Sequence, residues 1–159
     1  DGILNHTFNG RVVKSIKVNG VEYGEFGLNA AVAGYFNVPV IMVSGCNKLA
    51  EEAKALVPTI HTALVKTTIN RTTAENLHPQ KAQVLIKEKT KQALENKNKA
   101  ERFTIDPPME VELSFLHTGL ADVAEVLPIV ERVSPDTVTF TTESIIDCYR
   151  YIRSIIMMC

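Results

Sequence analysis

Nothing in this sequence is concentrated enough to point to a function by composition. Lysine and arginine number 17 against 18 aspartate and glutamate, for a net charge of −1, and they are spread along the chain. Nucleic-acid binding calls for a basic stripe that neutralises phosphates; with none visible, no nucleic-acid partner is expected. No apolar run approaches the roughly 20 residues of a membrane-spanning helix, so no membrane partner is expected either. No signal peptide is recognisable, although a chain opening on Asp1 rather than Met can have lost a segment upstream. Cysteine is scarce and scattered (Cys46, Cys148, Cys159). Without a C-x-x-C pair there is no expected disulfide framework, zinc knuckle or redox dithiol, and the thiols read as incidental in a reducing, cytoplasmic setting. Repeats, low-complexity tracts and a flexible linker are all absent.

What is present is an ordinary globular composition, 45% hydrophobic and 22% charged, long enough for one domain with a real core. Residues 11–18 read as a strand, and Asn19-Gly20 after it is a strong hairpin signal because both central positions need φ > 0. Val21-Glu22-Tyr23 is the expected return strand. Residues 24–36 read as a helix that is apolar almost all round and therefore buried. Val38 to Val43 reads as a buried strand ending at Ser44-Gly45, followed by a helix at about 47–56 and a strand at about 60–66. Pro79 suits the first turn of a helix running to about Lys97. Pro107-Pro108 then opens a strand (Met109, Val111, Leu113, Phe115), a helix from about Ala121, strands at 130–133 and 137–141, and a helix from about Glu143. That last helix carries Ile145, Ile146, Tyr149, Ile152, Ile155 and Ile156 on one stripe, read as core, with an oligomer seam as the alternative. The order of elements predicts an α/β fold. Its βα layers would share a mostly parallel sheet over residues 1–106, followed by a small α+β unit with a C-terminal helix over 107–159.

Two residues stand out chemically. His6, between Asn5 and Thr7 in a loop-like segment, offers an imidazole able to bind metal or accept a proton near neutral pH. On its own such a histidine is more often a hydrogen-bonded structural residue. Glu25 heads the apolar helix. It either complements the helix N-terminal dipole or, as a charge in an apolar setting, is paired or metal-bound. Asn29, at i+4 on the same face, is placed to hold the Glu25 rotamer. Cys46 follows Ser44-Gly45 at a strand end, but no base lies near it in sequence, which weakens a cysteine-hydrolase reading.

These residues lie in blocks that closely resemble the DppA-type D-aminopeptidase family of zinc peptidases. The blocks are G-I-L-N-H-T at 2–7, N-G-V-E-Y-G-E-F-G-L-N-A-A at 19–31 and V-P-V-I-M-V-S-G at 38–45. They continue with V-K-T-T-I-N-R-T-T-A at 65–74, A-D-V-A-E at 121–125, and V-E-R-V with the following T-V-T-F. The resemblance implies a two-zinc site that removes N-terminal D-amino acids, such as D-Ala, from short peptides. It also implies a ring-like homo-oligomer. The family's catalytic histidine falls on His6, as base, nucleophile or oxyanion stabiliser, and its glutamate zinc ligand falls on Glu25. Lys66 and Arg71, in the block at 65–74, are placed to bind the peptide's C-terminal carboxylate, Arg bidentately; solvation of the surface is the plainer alternative.

The family's other ligands lie upstream, as an Asp-x-Glu and two histidines, and none of those positions falls within this sequence. The resemblance is therefore to the C-terminal portion of such an enzyme. The expectation is a chain inactive in isolation that works together with the missing N-terminal portion. His61, His78 and His117 lie outside the family's ligand positions, have no H-E-x-x-H spacing, and read as surface or satisfied histidines. The alternative from another class is a non-catalytic assembly or peptide-binding module that retains the family fold. After Ser44-Gly45, where the resemblance leads to an expectation of acidic character, this sequence has Cys46-Asn47.

Overall fold

The computed structural model describes residues 2–159. In chain order the elements are β1 (Val13–Val18), β2 (Val21–Glu22), α1 (Glu25–Tyr35), β3 (Met42–Cys46), α2 (Asn47–Leu56), β4 (His61–Asn70) and β5 (Thr73–Asn76). They continue with α3 (Pro79–Glu95), β6 (Met109–Phe115), α4 (Thr118–Ala124), β7 (Glu131–Ser134), β8 (Thr137–Thr142) and α5 (Ile145–Met158). The architecture is mixed α/β, in two compact units. One comprises residues 1–5 and 33–104, the other residues 6–32 and 105–159.

The second of these units is built on a five-stranded sheet in the order β2-β1-β6-β8-β7, antiparallel throughout. Asn19 and Gly20 take φ of 52° and 78°, the left-handed pair that a tight hairpin matching the strand twist requires. Asn19 does more than turn the chain. Its side chain donates to the Asp106 carbonyl (3.2 Å) and accepts from the Glu110 N–H (2.8 Å), tying the hairpin to the entry of β6. Asn19→Ala loses both bonds and leaves a Cβ residue in a conformation that only Gly, Asn and Asp adopt readily. It is expected to destabilise the protein by about 1–2 kcal/mol, read as a lower urea midpoint with an unchanged slope.

A register shift between Val13 and Ser15 in the β1–β6 ladder explains how β1 buries Val13 as well as Ile16 and Val18. Strict alternation would send residue 13 to the opposite face from 16 and 18, and one inserted residue restores the phase. The core of this unit is the inner face of the sheet (Ile16, Val18, Val111, Leu113, Val138) covered by α5 and α4. Ser114 and Thr137, both buried, satisfy each other through a hydroxyl pair at 2.9 Å. The α5 helix begins at the N-cap Ser144, whose hydroxyl accepts from the Ile146 N–H. It buries Ile145, Cys148, Ile152, Ile155 and Ile156 and packs on β6 and β8. The isoleucine stripe is thus core of its own unit rather than an oligomer seam.

The other unit holds a three-stranded sheet, β3-β4-β5, with α2 and α3 packed on it. Here β3 and β4 are parallel, joined by α2 as a crossover, while β4 and β5 form an antiparallel hairpin. This is the one parallel pair among the described residues, so the expected mostly parallel sheet is corrected. Alternating strands and helices imply parallel crossovers only where successive strands share a sheet, and β1 pairs instead with β6, far along the chain. The same pairing places the first hairpin with residues 105–159 and not with the rest of residues 1–106. The expected strand from Val38 begins at Met42, where its partner His61 starts. In α1, Leu28, Ala30 and Ala31 are buried, whereas Tyr35 at its end is 54% exposed, so the helix is not buried all round. No helix among the described residues is long and apolar enough to cross a membrane.

Candidate active site

The His6 segment precedes β1 as an irregular loop, exposed at Leu4, Asn5 and His6 and half-buried from Thr7 to Asn9. Such a loop needs partners for its backbone groups, and one comes from Glu25. Its carboxylate Oε2 accepts the N–H of Phe8 at 3.2 Å. Glu25 can do this because it is the first residue of α1, where Gly24 already accepts the Leu28 N–H and the side chain points off the helix end. The two residues singled out in the sequence thus lie in one unit, with Glu25 bonded to the backbone two residues after His6. His6 itself lies close over Gly10, where a Cβ would stand 3.0 Å from the His6 Cβ.

Phe8 has φ of 56°, a conformation that costs a side-chain-bearing residue about 1–2 kcal/mol. Its ring meets Tyr149 of α5 edge-on (centroids 5.6 Å apart, planes at 79°), and the Arg153 guanidinium lies 5.7 Å from the ring centroid. Asn29 does not serve Glu25 in the expected way; its Oδ1 accepts a hydrogen bond from the Tyr149 hydroxyl at 3.0 Å. Sequence reasoning did not single out Phe8 or Arg153, and it read Tyr149 as part of the core stripe of α5, whereas that residue is half-buried and bonded to Asn29. The i,i+4 spacing of Arg153 from Tyr149 on one helix face was the available signal.

Lys66 and Arg71 belong to the other unit. Lys66 is exposed on β4, opposite Cys46 on one side and Asn76 on the other. Arg71 is exposed in the turn between β4 and β5, its carbonyl accepting the Leu4 N–H at 2.7 Å. About 16 Å of extended chain separates them, so the strand does not converge them on a single point. Two surface clefts of this unit, one along α3 at Gln80, Val84 and Glu88 and one beside Ile41, Thr59 and His61, include neither residue.

The remaining histidines are not gathered into a site. His78 caps α3, its Nδ1 accepting from the Gln80 N–H; His117 is exposed before α4; and His61 opens β4. Among the described residues, no three His, Cys, Asp or Glu side chains are grouped so as to hold a metal ion.

The cysteines are free thiols with contrasting surroundings. Burial pushes Cys148 up to about 12, which makes it inert. At Cys46 burial also acts upward. It is outweighed by hydrogen bonds from the Leu49 N–H, the Thr68 hydroxyl and the Ile3 and Lys48 N–H groups, which together hold the thiol below its ordinary value. No base accompanies it among these contacts, so it lacks the partner that a cysteine hydrolase needs.

Known proteins carry the same arrangement of sequence. The profile of the D-aminopeptidase family matches residues 1–154. A D-aminopeptidase of Bacillus subtilis (strain 168) is 37% identical over 150 residues, covering 94% of this chain and 54% of the relative. A solved structure, the Zn-dependent D-aminopeptidase DppA from Bacillus subtilis, described as a self-compartmentalizing protease, superposes with a TM-score of 0.94 at 35% identity. That match covers 99% of this chain and 57% of the other. The chain thus spans about half the length of the relatives it matches. With the profile running over nearly every residue, through the His6 loop, the head of α1 and on into α5, the chain belongs to the D-aminopeptidase family.

Proposed function

We propose that this chain is the C-terminal portion of a zinc-dependent aminopeptidase that releases N-terminal D-amino acids, such as D-Ala, from short peptides. The observation that carries this reading is the Glu25 carboxylate engaged with the His6 loop through the Phe8 N–H, in a chain of the D-aminopeptidase family. A zinc site takes about four ligands. Glu25, a carboxylate at a helix terminus with a second oxygen beyond the one bonded to Phe8, has the donor chemistry of one. The described residues supply no group of three, so the remaining ligands come from the missing N-terminal portion, and the chain alone is inactive. Bound there, zinc supplies the Lewis acidity that amide hydrolysis at neutral pH requires. His6, exposed in the loop that Glu25 anchors, acts at the scissile bond as base, nucleophile or oxyanion stabiliser. The complete protein assembles as a ring-like homo-oligomer. The α5 stripe, being buried in its own unit, is not the surface through which it does so.

The test is native against denaturing mass spectrometry of the complete protein, with zinc quantified and D-alanyl and L-alanyl peptides assayed in parallel. The expected result is about two zinc ions per active site and hydrolysis of the D-peptide only. A complete, folded protein that binds no zinc and cleaves neither peptide would instead be the non-catalytic assembly or peptide-binding module.

Of Lys66 and Arg71, which the strand does not bring to one point, Arg71 is proposed to bind the peptide's terminal carboxylate. Because a charge-assisted hydrogen bond is worth roughly 1.5–3 kcal/mol, Arg71→Ala should raise KM for a dipeptide about tenfold or more with kcat little changed. An unaltered KM in the complete enzyme removes Arg71 from the site.

A further inference from the structure

We infer that Tyr149 and Arg153 of α5 are positioning residues for His6, acting through the ring of Phe8. This rests on the reading above that His6 acts on the peptide. Phe8, two residues from His6, holds a left-handed φ of 56°, which a bulky residue keeps only where its surroundings over-determine it. Those surroundings come from two helices. From α1, Glu25 accepts the Phe8 N–H at 3.2 Å. From α5, Tyr149 meets the Phe8 ring edge-on at 5.6 Å, and Arg153 places its guanidinium 5.7 Å from the same ring's centroid.

The grip is closed on itself. The Tyr149 hydroxyl donates to Asn29 Oδ1 at 3.0 Å, and Asn29 stands one helical turn after Glu25 on the same face of α1. The helix that supplies the carboxylate is therefore bonded to the side chain that holds the ring. Gly10 keeps the space beside His6 free of a side chain, since a Cβ there would come within 3.0 Å of the His6 Cβ. The imidazole is thus carried on a short loop anchored at Phe8. Asn29 in the G-E-x-G-x-N-A block has a role in this arrangement, as the link between α1 and α5.

The experiment uses the complete enzyme with zinc bound and compares Tyr149→Ala, Tyr149→Phe, Arg153→Met and, as reference, His6→Ala. Kinetics on a D-alanyl peptide are read together with the His6 imidazole NMR signal. A small displacement of a reacting group can cost up to about a hundredfold. The expected result is therefore a kcat about tenfold lower in Tyr149→Ala and Arg153→Met, KM within about twofold, zinc content unchanged, and a shifted His6 signal. Tyr149→Phe keeps the ring contact and loses the bond to Asn29, so it falls between these and the parent. Arg153 is exposed, so its substitution keeps the test valid if Tyr149→Ala folds poorly. Unchanged kcat and an unmoved His6 signal beside an inactive His6→Ala overturn the positioning role and leave the reading of His6 intact. A loss of activity matched by an equal loss of folded protein or bound zinc also overturns it. Full activity in His6→Ala overturns the reading of His6 itself, and the positioning of the imidazole then stands or falls on the NMR signal.

Discussion

Glu25→Gln in the complete enzyme is expected to lower kcat/KM for a D-alanyl peptide by about a thousandfold, the effect of losing about 4 kcal/mol of transition-state stabilisation. The substitution is chosen because it separates the hydrogen bond this side chain makes from the metal ligation proposed for it. Its carboxylate accepts the Phe8 N–H, and the amide oxygen of glutamine can do the same. The loop therefore keeps its acceptor while the site loses its negative charge. At the head of α1 that charge is worth about 0.3–1 kcal/mol against the helix dipole, so the melting temperature should move by only a few degrees. A large loss of activity and of bound zinc with a small loss of stability identifies Glu25 as a ligand. If activity falls less than about tenfold and zinc is retained, Glu25 is only the anchor of the His6 loop. Kinetics, zinc content and a thermal melt on the same preparation separate these outcomes.

Ile152→Ala is expected to destabilise the protein by about 3–4 kcal/mol. Ile152 is fully buried on α5, in a stripe with Cys148 and Ile155, which are also fully buried, and the helix packs on the central strands β6 and β8. Truncation removes the transfer energy of the lost carbons and leaves a cavity that a sheet hydrogen-bonded on both sides of β6 cannot close. For a chain of this size such a loss lowers Tm by about 10 °C, measurable by calorimetry or urea titration. The result also discriminates between two uses of an apolar stripe. A seam between subunits would dissociate on this substitution, whereas a core position lowers the unfolding midpoint and leaves the subunit count in native mass spectrometry unchanged.

The elements legible in advance were those specified by neighbours in the chain. Asn19-Gly20 announces its hairpin because left-handed φ values are open to few residues. The Val-x-Leu-x-Phe run of β6 and the isoleucine spacing of α5 announce their buried faces, since each period belongs to one kind of element. Less legible were features decided by a partner. Val38-Pro39-Val40-Ile41 is apolar and extended by preference, yet the ladder begins at Met42 because β4 begins opposite it. Thr73–Asn76 has no strand-like pattern and becomes β5 because the turn at Arg71-Thr72 returns it along β4. His6 and Glu25 were visible as a likeness of motifs, and their connection through the Phe8 backbone was not. Asn29 was matched to the nearest carboxylate on its own helix face, but its partner is the Tyr149 hydroxyl, 120 residues away.

By itself, then, the sequence determined the local geometry, the apolar faces and the family to which the His6 and Glu25 blocks belong, because each is written in residues close together in the chain. Only the tertiary structure decided the strand order β2-β1-β6-β8-β7, the division of the chain into its two units, and the grip of α1 and α5 on the His6 loop. Strand pairing and side-chain contact depend on which edges and faces meet after the chain has closed over long distances. A backbone N–H takes whichever acceptor the closed chain brings within reach.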